Sequence, residues 1–151
     1  MKDIDSKDLQ LLRILQRDCT VPVATLAEKV SLSVNACWRR VKRLQDEFID
    51  RQVAILKPEK FHVGLTVFVS IRTSQHSEDW LSRFSKGVAA IPEVVEFYRL
   101  SGEIDYLLKV MVRDVADYDR VYKAIIKTAP LTDVSSSFAM ERIKATTALP
   151  I

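Results

Sequence analysis

A chain of 151 residues, 48% apolar and 28% charged, has the composition of a water-soluble fold and room for one large domain or two small ones. No run approaches the roughly 20 apolar residues of a membrane helix. The opening Met1-Lys2-Asp3-Ile4-Asp5 lacks a leader pattern and Cys19 and Cys37 make no disulfide framework, so a cytoplasmic setting away from membranes is expected.

The net charge of +3 is concentrated: residues 1–60 carry 12 Lys/Arg against 9 Asp/Glu, and the remainder carries 11 of each. Arg39, Arg40, Lys42 and Arg43 fall within five residues, a local basic cluster of the kind that meets phosphates.

Asp5 is placed to cap a first helix, with Asp8 in its positive first turn and Leu9, Leu11, Leu12 and Leu15 supplying the apolar stripe. Asp18 to Pro22 break it, and Pro22 opens a short second helix carrying Leu26, Ala27 and Val30. Ser31-Leu32-Ser33 form a break, and Ser33 caps a third helix running to about Glu47. Three helices with a short turn between the last two are the layout of a helix-turn-helix.

On a wheel of about 100° per residue, Cys37, Val41, Leu44 and Phe48 share one narrow apolar face of the third helix. Asn35, Arg39, Lys42 and Arg43 take the opposite face, and Arg40 its flank. Trp38, on the boundary, is expected to pack against the second helix, and Cys37 to be a small apolar filler. An α-helix fits the major groove of double-stranded DNA, where Arg forks onto guanine, Asn pairs with adenine and Lys neutralises phosphate. Ser33, Asn35, Ala36, Arg39, Arg40, Lys42 and Arg43 are therefore the candidate DNA-binding residues.

Character changes near Lys57-Pro58, which divides the chain into a helix-turn-helix domain (1–50), a connecting strand or linker (51–57) and a second domain (58–151). In the second domain Leu65, Val67, Val69 and Ile71 alternate as a strand, and residues 77–90 form a helix with Leu81, Phe84 and Val88 inward. Val95 and Phe97 belong to a second strand, residues 102–105 to a turn, and Tyr106 to Val112 to a third strand. Val115, Tyr118, Tyr122 and Ile125 mark a helix ending before Pro130, and Val134 to Met140 a last strand. The order βαββαβ is the ferredoxin-like pattern, so the fold class is α+β with a three-helix, winged helix-turn-helix in front. Helices cover one face of such a sheet, and the other calls for a partner copy.

Catalysis is not expected. The only histidines are His62 and His76, and no nucleophile motif, phosphate loop or metal-ligand cluster is present, so neither metal nor cofactor is implied. Glu103 or Asp105 suits the ammonium of a small zwitterion, with the backbone around Gly102 for its carboxylate.

Taken together, Asp5…Asp8-Leu9, Leu26-Ala27, Leu32-Ser33…Arg40-Val41…Leu44, Gly102-Glu103-Ile104-Asp105-Tyr106 and Thr146-Thr147-Ala148-Leu149-Pro150 resemble the Lrp/AsnC family of feast/famine regulators. The resemblance covers essentially the whole length and rests on order and spacing. It implies a transcriptional regulator with an amino-acid effector and a homodimer that assembles to an octamer. By resemblance the effector pocket is bordered by Ser101, Gly102, Glu103, Asp105 and Tyr106, by Ser135, Ser136 and Ser137, and by Thr146 and Thr147. Cys37-Trp38 and the close of the chain look most like a branch concerned with cysteine and sulfur metabolism. The competing reading is an architectural DNA-binding protein without a ligand. One departure stands out: the family's glycine after the third helix is missing from Glu47-Phe48-Ile49.

Overall fold

A computed structural model describes residues 4–151. The first three residues of the run read above for leader signals lie outside the described residues. The chain divides into two compact units, one holding Met1–Ile55 (as described) with Ile143–Ile151, the other Leu56–Arg142.

The first unit is built on α1 (Ser6–Leu15), α2 (Val23–Val30) and α3 (Val34–Glu47). A reciprocal capping box starts α1: Asp5 Oδ1 accepts the Asp8 N–H at 2.9 Å, and Asp8 Oδ2 accepts the Asp5 N–H at 3.3 Å. Leu11, Leu12 and Leu15 of α1, Leu26, Ala27 and Val30 of α2, and Cys37, Val41 and Leu44 of α3 close the core. Ser31 makes the turn between α2 and α3 at φ 53°, a left-handed conformation that glycine adopts at less cost.

The missing glycine has a simple resolution. Phe48 ends α3 at φ −128°, and the N–H groups of Phe48 and Ile49 share the Leu44 carbonyl at 3.0 Å each. No left-handed residue is needed there, so the helix ends on an ordinary side chain.

Residues 51–57 form no strand, and no wing is built from them. A strand needs a ladder partner, and Val53, Ile55 and Leu56 stand exposed. A 3₁₀ turn at Pro58–Phe61 follows. The tail also departs from the expected domain limit, because it returns to α1. Leu149 donates its N–H to Gln16 Oε1 (2.8 Å) and accepts from Gln16 Nε2 (3.1 Å), while Arg13 Nε donates to the Ile151 carbonyl (2.7 Å).

The second unit contains β1 (Leu65–Arg72), α4 (Glu78–Ala89), β2 (Val94–Arg99), β3 (Tyr106–Val112), α5 (Val115–Ile126) and β4 (Asp133–Phe138). The sheet is antiparallel in the order β2-β3-β1-β4. Val67, Val69 and Ile71 of β1 and Leu108 and Val110 of β3 are fully buried against Trp80, Phe84 and Val88 of α4 and Tyr118, Val121 and Ile125 of α5.

Three expectations shift. A bulge between Val94 and Glu96 lets Val94 and Phe97 share the inner face, so Val95 turns out to solvent instead of pairing with Phe97. Trp80, not Leu81, leads the buried stripe of α4, its indole N–H satisfied by the Pro130 carbonyl at 3.1 Å. On the last strand pairing stops at Phe138, leaving Met140 almost wholly exposed.

Candidate functional site

The α3 surface is the first candidate, and ion pairs sort its cations into two kinds. Arg40 Nη1 lies 2.6 Å from Asp5 Oδ2 and 2.8 Å from Asp8 Oδ1, and Arg43 Nη2 also pairs with Asp8 Oδ2. Asp8 is 1% exposed, so these bonds pin α3 to the start of α1. Burial alone would push the Asp8 carboxyl up, but hydrogen bonds from Arg40 and Arg43 outweigh it and hold the group below the usual carboxylate range. Asp5 is lowered chiefly by the Asp8 backbone N–H, then by Arg40.

Arg43, read from the wheel as outward-facing, and Arg40, read on the flank, are thus both tied to Asp8 within the fold. The wheel angle locates a Cα; a long arginine side chain reaches well around the helix from it. Sequence reasoning gave Asp8 only a dipole role, because no local pattern ties it to Arg40 and Arg43 more than thirty residues on.

What remains outward is Asn35, Trp38, Arg39 and Lys42, all exposed. Arg39 makes no ion pair among the described residues, and Lys42 reaches Asp46 one turn on at 3.2 Å, with both side chains exposed. Ser33 caps the helix by accepting the Ala36 N–H at 3.3 Å. Cys37 is fully buried, and burial pushes its thiol pKa up, away from the reactive thiolate. Trp38, expected to pack against α2, is 57% exposed and stands outside the core of its unit.

The second candidate is the turn after β2. Ser101, Gly102 and Glu103 are exposed, and Gly102 sits at φ +136° with open space where a Cβ would stand. Arg72 Nη2 pairs with Glu103 Oε1 at the surface. Asp105 fastens the turn to β1: its Oδ2 accepts the Thr73 N–H (2.8 Å), and its own N–H reaches the Ile71 carbonyl (2.9 Å). Tyr106 is buried among Trp80, Phe84 and Phe97.

The three serines of β4 do not act together. Ser136 lies opposite Val69 on the helix-covered face and hydrogen-bonds the Tyr118 hydroxyl, whereas Ser135 and Ser137 lie opposite Ser70 and Phe68 on the open face. Thr146 and Thr147 belong to the first unit, where Thr146 Oγ1 accepts the Ala148 N–H (3.1 Å) and Thr147 lines an apolar cavity beside α1. Arg72 was not anticipated; its place as the one charged residue of β1 was the available hint.

The open face of the sheet carries Phe68, Leu107, Met111 and Tyr98, with Lys109 paired to Glu96 at 2.6 Å. Among the described residues no cluster of His, Cys, Asp and Glu suits a metal ion, and no helix is long and apolar enough to cross a membrane.

Comparison with known proteins gives two family matches. The AsnC-type helix-turn-helix domain matches residues 4–45 and the Lrp/AsnC ligand binding domain matches residues 66–149. The DNA-binding transcriptional activator DecR of Escherichia coli (strain K12) is 49% identical over 150 residues, covering 98% of this chain and 99% of that protein. The crystal structure of an AsnC family transcriptional regulator from Agrobacterium tumefaciens superposes with a TM-score of 0.93 at 55% identity, covering 97% of both chains. A transcriptional regulator from Neisseria meningitidis, crystallised as its L-Met complex, gives a TM-score of 0.91 at 34% identity over 98% of this chain and 97% of the other.

Proposed function

The chain belongs to the Lrp/AsnC family of DNA-binding transcriptional regulators, and from that premise we propose that its grip on DNA answers to a small amino acid bound at the 101–105 turn. Its relatives are regulators, not enzymes.

The observation that carries the effector reading is the Arg72–Glu103 pair beside Gly102. A free amino acid is a zwitterion with opposite charges a few ångströms apart. The exposed pair offers the same two charges in complementary order: Glu103 for the ammonium, and Arg72 with the open backbone at Gly102 for the carboxylate. Asp105, whose Oδ2 accepts the Thr73 N–H, holds the turn and is the second carboxylate that can meet the ammonium. The relative crystallised with L-Met supports an amino-acid ligand, and cysteine, another small sulfur amino acid, is the first to test.

On the DNA side, Asn35, Arg39 and Lys42 contact the duplex, with Ser33 and Ala36 at the helix entry. Arg40 and Arg43 set the angle of α3 through Asp8. The open sheet face with Phe68, Leu107 and Met111 joins a second copy into a homodimer, which assembles further to an octamer.

A thermal-shift screen of the twenty amino acids tests the effector reading, because a ligand of the native state raises stability by mass action. One amino acid should raise the midpoint of wild type and leave Gly102→Val unmoved. No shift with any amino acid would favour a ligand-independent architectural role.

A further inference from the structure

Trp38 is a large aromatic on a charged surface. It is 57% exposed, stands outside the core of its unit, and makes no ring contact or hydrogen bond among the described residues. Its neighbours around the helix, Asn35, Arg39 and Lys42, are exposed too, and Asp46 beyond them is engaged by Lys42. Val34, one turn earlier, is likewise half-exposed. Trp38 and Val34 together form an apolar patch set among exposed cations, and a tryptophan's apolar ring with a polar edge suits an interface. The cations beside it select a polyanion as the partner.

Resting on the DNA-binding reading of α3, we propose that Trp38 is a specificity-determining residue that reads a thymine methyl group in the major groove. Trp38 is the fifth residue of α3, in the N-terminal half through which a groove-bound helix touches base edges. Of the groups displayed along the major-groove floor, donors and acceptors are polar and the C5-methyl of thymine alone is apolar. An indole placed there gains by covering that methyl and gains nothing from cytosine at the same position. Arg39 and Asn35 supply polar readout of the neighbouring bases, and Trp38 adds the apolar letter.

Replacing thymidine by deoxyuridine removes that methyl and nothing else, which gives the test. The probe is the tightest duplex selected from a random-sequence library with the full-length protein, resynthesised with deoxyuridine at each thymidine in turn. Wild type should lose about fourfold in affinity at one thymidine per half-site, the value of one buried methyl. Trp38→Ala should bind the parent duplex more weakly and be indifferent to that substitution, while Trp38→Phe should keep part of the sensitivity. Circular dichroism of both variants should match wild type, since the side chain is exposed. If wild type and Trp38→Ala share one deoxyuridine profile, this assignment falls while the DNA-binding reading stands. If wild type selects no duplex at all, both fall.

Discussion

Arg40 on α3 reaches the buried carboxylate of Asp8 on α1, Nη1 to Oδ1 at 2.8 Å, and Arg43 takes the other oxygen of the same group. One carboxylate therefore ties α3, the helix proposed to meet DNA, to the start of α1. Asp8→Asn would take the counter-charge from Arg43 and leave Arg40 with Asp5 alone, and should cost about 2–3 kcal/mol of stability, below the range for a fully buried pair because both arginines are partly exposed. The pH dependence has a definite sign. Asp5 and Asp8 are held below the ordinary carboxylate value, so their contribution is complete above about pH 4. It drains away as pH falls through their lowered values. Acid titration of helical content should show Asp8→Asn less sensitive than wild type in that range; equal sensitivity would remove the clamp from the account.

Arg39 and Lys42 should behave differently from Arg40. Arg39→Ala should weaken selected DNA by ~1–3 kcal/mol and blur preference at one base position, as loss of a forked contact does. Lys42→Ala should weaken all sequences alike and flatten the salt dependence of binding. Arg40→Ala should lower the melting temperature first. Fluorescence anisotropy over a salt series, paired with thermal melts, separates the three. A folded Arg39/Lys42 double-alanine variant that binds as tightly as wild type would move the interface off α3.

Ser31 sits at φ 53° in the turn before α3. A non-glycine residue there costs roughly 1–2 kcal/mol, part of which glycine gives back through its freer unfolded chain. Ser31→Gly should therefore stabilise the helical unit by about 0.5–1 kcal/mol, read as a higher urea midpoint with unchanged slope. A lower midpoint would show that the serine side chain contributes more than its backbone costs.

Phe68, 38% exposed on the uncovered sheet face, tests self-association. Phe68→Asp would bury a charge against a second copy, and should shift the full-length protein toward monomer in sedimentation at micromolar concentration. A wild-type monomer under the same conditions would contradict the proposed interface.

Much of this was legible in the sequence because periodicity and caps are local. Asp5, Ser33 and the Leu11/Leu12/Leu15 stripe located α1 and α3, and strict alternation located β1 and β3. What escaped depended on distance along the chain. Arg40 and Arg43 looked like free cations until Asp8, more than thirty residues away, was brought beside them. Val95 was misfaced because a bulge adds a residue that alternation cannot count. Residues 51–57 were expected as a connecting strand or linker, and among the described residues no strand pairs with them. Trp38 was expected to be packed and is mostly exposed, since a wheel gives a direction around the helix without showing how much lies there.

The central claim is that an amino acid at the 101–105 turn and DNA at α3 are coupled, and linkage measures it directly. Binding of a selected duplex should be titrated by anisotropy with each of the twenty amino acids, cysteine first, and the active one titrated calorimetrically with and without DNA. Coupling of this kind is typically worth ~1–3 kcal/mol, so the effector should move DNA affinity by about 5- to 150-fold, and DNA should move effector affinity by the same factor. Gly102→Val should abolish the shift while leaving effector-free DNA binding within a few fold. DNA affinity indifferent to all twenty amino acids, in a protein that binds its duplex tightly, would contradict the account.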